Sequence, residues 1–310
     1  MSKRREHKLA RLSDQFRVRP GRTVDLPRDF DPGFTGGVEG KRHARKELSR
    51  AISLIAERQQ RLAAEQSDAV LVILQAIDAG GKDGAIRHVM SGLNPQGVSV
   101  HSFKQPSLEE VGHDFLWRYQ RRLPSRGEIT VFNRSQYEEV LVVRVHPEDL
   151  DDEAVSRDRR PGVWKRRFRE INDWERYLAD NRVRIVKLLL HLSKEEQRYR
   201  FLRRCDLPEK HWKFSAADIR ERRHWDDYQV AFSDMLSHTS TPWAPWYVIP
   251  ADHKWYARLG VASALLRALV EIDPQFPVVE ETAMRELLAA RAELEAQAPS
   301  GRPADPVPGR

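Results

Sequence analysis

The chain has 310 residues, enough for a large core, and carries 53 Lys and Arg against 46 Asp and Glu, a formal charge of +7. No run approaches the roughly 18 apolar residues of a membrane span, and the basic start lacks a signal peptide's apolar segment, so a cytoplasmic protein without a membrane partner is expected. The single cysteine, Cys205, excludes an intrachain disulfide, while the basic surplus points to a polyanionic partner, either nucleic acid or a phosphate-rich substrate.

In chain order, residues 1–15 read as a mobile basic start and 16–37, full of turn residues, as irregular chain, making 1–37 a basic N-terminal extension. A helix over about 41–66 carries Leu48, Ile52, Ile55, Leu62 and Ala63 on one stripe and braces a sheet. The β-branched run Val70–Leu74 belongs to a first strand, about 69–77, that feeds a glycine-rich turn and a helix. A second strand spans 98–103. Ser107 and Glu110 form a capping box opening a helix over 108–123. The third strand, 128–132, runs directly into Asn133-Arg134-Ser135.

Residues 146–180 are charged and short of apolar side chains before Trp164, and read as an inserted helical lid. Its basic stretch, Arg157 to Arg169, carries Trp164 and Phe168 either as a stacking surface or as a helix's inner stripe. The fourth strand is 183–192, with a helix begun at Ser193 and Glu196, and a further helix follows Phe214. A fifth strand at 246–249 precedes a helix running from after Asp252 to about 269. Another helix, 280–296, and a Pro/Gly-rich tail complete 275–310. Strands of continuous apolar character alternating with helices predict an α/β, three-layer domain over 38–274 with a mostly parallel five-stranded sheet.

In such a sheet, ligands bind beyond the carboxyl ends of the strands. There, Asp78 precedes Ala79-Gly80-Gly81-Lys82-Asp83-Gly84. Glycines let successive N–H groups face one anion, Lys82 adds a cation, and Asp78 suits Mg²⁺. The usual P-loop places a glycine where Ala76 stands and Ser or Thr where Asp83 stands, so the strict motif fails twice. Arg134 at the next strand end, and Arg198 or Arg200 beyond the fourth, are candidate clamps for transferring oxygens. His191 reads as a satisfied core histidine. The other histidines do not cluster as transition-metal ligands, and no dedicated nucleic-acid module is recognisable.

From about Phe16 to Val270 the sequence resembles the polyphosphate kinase 2 family, P-loop-type phosphotransferases acting between inorganic polyphosphate and nucleotides. The resemblance is carried by LQAIDAGGKDGAIRHVMSGLNPQGVSVHSFKQPS, GEITVFNRSQYEEVLVVRVHPE, LHLSKEEQRYRF, PEKHWKFSAADIRERRHWDDYQVAF and TPWAPWYVIPADHKWYARL. It implies a P-loop kinase-like fold with a lid. Asp78 would be the metal-binding acid, Lys82 the phosphate-contacting lysine, and Asn133-Arg134 the Walker B-like strand end, where many relatives have Asp before Arg. Arg200 would enter the site, Lys104 and Arg144 would line the groove, and Glu138 would orient the acceptor or metal.

Asn133 further resembles the branch that phosphorylates both AMP and ADP. The implied reaction is reversible in-line transfer from polyphosphate with Mg²⁺, or Mn²⁺ in its place, without a covalent enzyme intermediate. Implied partners are polyphosphate and adenine nucleotides, with guanine nucleotides as a further acceptor, and a homodimer or homotetramer. Rival readings are an ATP-dependent nucleotide or nucleoside kinase and a non-catalytic polyanion-binding protein.

Overall fold

A computed structural model describes residues 3–38, 40–152, 158 and 160–297. Residues 153–157 and 159 of the expected lid, 146–180, and the Pro/Gly-rich end after 297 therefore lie outside the described residues. The principal helices are α1 (Lys3–Arg11), α2 (Gly40–Glu65), α3 (Lys82–Met90), α4 (Val163–Asp180), α5 (Lys194–Asp206), α6 (Ala216–Glu221), α7 (Trp225–Thr239), α8 (Lys254–Ile272) and α9 (Glu281–Ala296). The strands are β1 (Ala69–Ala76), β2 (Val98–Ser102), β3 (Ile129–Asn133), β4 (Val183–His191) and β5 (Trp246–Pro250). They form one sheet in the order β2-β3-β1-β4-β5, and every pairing is parallel.

The continuous apolar runs follow from burial on both faces. In β1, Val70, Val72 and Leu74 enter a core shared with α1, α2, α3 and α8. Leu71 and Ile73 point the other way, into a core with Phe168, Ile171 and Leu178 of α4 and Phe232, Met235 and Leu236 of α7. Side chains alternate across a strand, so one unbroken run supplies two cores.

Three expectations change. Residues 3–16 are ordered into α1 and a 3₁₀ turn, Leu12–Phe16, with Leu9, Ala10 and Phe16 buried. Their apolar positions are outnumbered by charges in the sequence, which hid the stripe. Secondly, α4 is a sheet-flanking helix: its Phe168, Ile171 and Leu178 are buried, so the part of the expected lid after residue 162 packs into the domain. Thirdly, the helix over 108–123 is two short turns, Leu108–Val111 and Trp117–Gln120. The Ser107–Glu110 capping box forms, but the first turn ends at Gly112 and Asp114 takes the N–H of Leu116.

The chain divides into two compact units at Gln275. The second, by itself, contains α9, whose Met284, Leu287 and Leu288 are exposed. No described helix is long and apolar enough to cross a membrane.

Candidate active site

The turn after β1 is shaped by sterics. Ala79 and Gly81 lie at φ 60° and 100°, in the left-handed region. A Cβ on Gly80 would come within 2.5 Å of the Ala76 Cβ and 2.8 Å of the Ile77 oxygen. Only glycine fits Gly80, and Gly81 leads into α3 as its N-cap. Helix α5 holds the turn from behind. Arg200, nearly buried, donates to the carbonyls of Ala79 and Gly80 at 3.0 and 2.9 Å and to that of Ala251 beyond β5 at 2.5 Å. Gln197, three residues earlier on the same helix face, donates to the Asp78 carbonyl at 3.0 Å. Lys82 folds back, its ammonium 2.8 Å from the Ala76 carbonyl. Burial, and next the charge of Arg134, pull that ammonium below the usual lysine range.

The end of β3 supplies the facing wall. Arg134, itself left-handed at φ 65°, reaches Asp78 at 3.1 Å and Glu138 at 3.2 Å. Asn133 donates from its amide to Asp83 at 3.0 Å and to Ser102 at 3.2 Å. Asp78, Arg134 and Glu138 line a cavity of about 200 Å³ with Gln75, Asp218 and Tyr228. Asp218 is raised above the usual carboxylate range by burial and then by the charge of Asp78. At the cavity's other side His146 meets Glu221 at 2.8 Å, and the Tyr228 hydroxyl donates to the same carboxylate at 2.5 Å. Burial opposes the imidazolium of His146, yet Glu221 and Glu148 raise it above the usual histidine range. A glycine-shaped turn with two cations, Lys82 and Arg134, thus sits beside a part-apolar cavity containing Leu141, Val142 and Phe232.

A family model described as polyphosphate kinase 2 matches residues 39–277. The chain belongs to the polyphosphate kinase 2 family. It is 50% identical over 285 residues to an ADP-polyphosphate phosphotransferase of Rhodopseudomonas palustris, covering 90% of this chain and 97% of the relative. It is 45% identical over 267 residues to an AMP/ADP-polyphosphate phosphotransferase of Meiothermus ruber, covering 86% and 96%. The crystal structure of polyphosphate kinase 2 from Arthrobacter aurescens TC1 superposes with a TM-score of 0.80 at 39% identity, covering 90% of this chain and 96% of that one.

Within this polyphosphate kinase 2 chain the residues singled out in the sequence divide into groups. Asp78, Arg134 and Glu138 share one cavity, and Lys82 lies against its floor at Ala76. Ala79, Gly80 and Gly81 form the cradle, and Gly84 stands in open space on α3. Asp83 is turned toward Asn133 and, at 3.9 Å, Lys213. Arg200 lies behind the cradle, whereas Arg198 is exposed and pairs with Glu195. Lys104 is exposed, and its carbonyl accepts from Arg118. Arg144 points to an ion pair with Asp234 and does not line the cavity. His191 is buried and satisfied by the Phe30 carbonyl at 3.1 Å.

Sequence reasoning passed over Gln197, Asp218, Glu221, Tyr228 and His146. Gln197 had a signal, its three-residue spacing from Arg200. Asp218, Glu221 and Tyr228 come from charged helices indistinguishable in sequence from solvated faces, and His146 from the bend that ends the short turn Val142–Val145.

The donor set suits a hard divalent ion. Asp78 offers a carboxylate, and the side-chain oxygen of Asn133 is buried with no hydrogen-bond partner. No three His, Cys, Asp or Glu among the described residues converge as a metal cage. An ion held here would keep most of its coordination for water or substrate oxygens, which is the habit of Mg²⁺.

Proposed function

We propose that the protein transfers the terminal phosphoryl group of inorganic polyphosphate to AMP and ADP, giving ADP and ATP, reversibly. The observation that carries this is the meeting of Asp78, Lys82 and Arg134 at adjacent strand ends in a chain of the polyphosphate kinase 2 family. Phosphoryl transfer demands positioning and neutralisation of charge more than a strong base. The N–H groups after Gly80 would cradle the phosphates. Arg134 and Lys82 would neutralise the transferring oxygens, and Glu138 would orient Arg134. Asp78 and Asn133 would hold Mg²⁺ or Mn²⁺, which when bound neutralises phosphate charge.

Arg200 acts, on this reading, by holding the cradle's carbonyls; Lys104 and Arg144, which are not among the residues lining the cavity, would meet polyphosphate along the groove outside it. Residues 142–152 and α6, at the cavity's far side, are the segments we assign to a lid. The names of the two relatives differ in whether AMP is an acceptor, and we assign both acceptors here because Asn133 presents a neutral amide where an acid would add charge. A homodimer or homotetramer in the cytoplasm, measurable by light scattering and fractionation, belongs to the same proposal.

The deciding experiment incubates the protein with long-chain polyphosphate and Mg²⁺, with AMP and with ADP separately, beside Asp78→Ala. ADP and then ATP from AMP, lost in the variant while the melting curve is kept, is the expected result. Product from ADP alone would remove AMP from the proposal. Phosphorylation only when ATP replaces polyphosphate would replace it with an ordinary nucleotide kinase.

A further inference from the structure

Strand β4 places a lysine in an otherwise apolar layer. Ile185 and Leu189, on either side of Lys187 along the same face, belong to the core beneath α4 and α7. The ammonium of Lys187 meets the carboxylate of Glu175, from α4, at 2.6 Å, and both side chains are 0% exposed. Desolvating two charges is expensive, and a well-packed apolar pair of similar volume is often as stable or more so. Packing alone therefore does not explain this pair.

Its hydrogen bonds show where it acts. One Glu175 oxygen accepts from the Tyr137 hydroxyl at 2.7 Å and from the Gln136 amide at 3.2 Å. Lys187 donates to the Tyr137 hydroxyl at 2.9 Å and to the Thr239 carbonyl at 2.6 Å. The Tyr137 ring packs edge-on to Trp246 with centroids 4.7 Å apart. Gln136 and Tyr137 open the 3₁₀ turn Gln136–Val140, which carries Glu138 and follows Arg134 after a single residue. That residue, Ser135, is held by Gln75 of β1 at 3.1 Å. Arg134 has a left-handed backbone, φ 65°, a conformation that a non-glycine residue keeps only when its surroundings impose it.

We propose that the buried Glu175–Lys187 pair is a positioning device for phosphoryl transfer, fixing the Gln136–Val140 turn so that Arg134 and Glu138 face Asp78. The kinetic part of this inference rests on the polyphosphate-transfer reading; the positional part does not.

The test is the double variant Glu175→Gln/Lys187→Met, which removes both charges, nearly conserves volume and leaves an amide oxygen to accept from Tyr137. Its melting temperature is expected within about 5 °C of the parent, since neutral replacement of a buried pair is tolerated. Its kcat with polyphosphate and ADP should fall about tenfold or more, with KM for ADP changed less than about twofold. Hydrogen exchange should quicken over 134–145 and stay unchanged in the sheet. In an Arg134→Ala background the same double change should cost little further, because positioning acts through that side chain.

Loss of global stability would make the pair a pillar of the fold and overturn the proposal. Unchanged kcat and exchange would overturn it, as would an equal fall in both backgrounds. If the parent protein makes no nucleotide from polyphosphate, the functional reading fails by itself. The positional claim is then decided by exchange: local loosening over 134–145 sustains it, and unaltered protection ends it.

Discussion

The guanidinium of Arg134 reaches the carboxylate of Asp78 at 3.1 Å, joining the end of β3 to the turn after β1. The same fork holds Glu138 at 3.2 Å. A lysine carries the charge but not the planar pair of donors. We expect Arg134→Lys to lower kcat about 100-fold, the scale of removing one preorganised donor at a transferring group. With that side chain 40% exposed, the melting temperature should hardly move. Initial rates with polyphosphate and ADP, beside a thermal melt, check both halves.

Gly80 and Gly84 separate two uses of glycine. A methyl on Gly80 collides with Ala76 and the Ile77 carbonyl, whereas one on Gly84 meets nothing within 4 Å. Gly80→Ala should cost about 2 kcal/mol or more and abolish transfer, in the manner of strain at a tightly packed backbone site. Gly84→Ala, inside α3, should leave the fold intact and add up to about 1 kcal/mol. Urea denaturation of both variants makes the comparison.

Arg200 spans the cradle and the chain beyond β5 through carbonyl oxygens on both sides. Arg200→Ala strands those acceptors and the Glu196 carboxylate that Arg200 holds at 2.7 Å. Destabilisation of about 3 kcal/mol is expected, typical of breaking a buried charged network. Limited proteolysis should then cut near Ala79–Lys82 first, and Arg200→Lys should rescue only part of the loss.

The pH response of stability has a source away from the cavity. Burial pulls His191 from the usual 6.5 to about 4, against the opposing carbonyl of Phe30 and the charges of Asp252 and Asp31. It is neutral when folded and takes a proton on unfolding below 6.5, so its contribution is complete above pH 6.5 and is lost as pH falls toward 4. Up to about 3 kcal/mol is at stake. Thermal melts between those pH values should show the parent losing stability and His191→Gln losing less.

The sheet was legible because burial on both faces writes a continuous apolar run, as in Val70–Leu74, that a solvated strand would not show. The cradle was legible because Gly80 and Gly81 meet steric demands that few other residues satisfy. Phe16 and Leu9 were not, since the charges around them mask a short stripe. Neither was Phe168's place in the core, because α4 is as charged outside as any mobile arm. Asp218 and Tyr228 matter through what lies across from them, and a linear sequence records no such neighbour.

The N-terminal segment lies against the last elements of the domain: Leu9 accepts from Ser263 across 254 positions, and Val18 from Ser240 across 222. As the chain leaves the ribosome, Phe16 has no seat until β5 and α8 have emerged. The core can close only after most of the domain has been synthesised, so the early segments must wait with apolar surface open to chaperones. Deleting residues 3–18 should therefore lower the yield of folded protein more than it lowers the activity of the molecules that do fold.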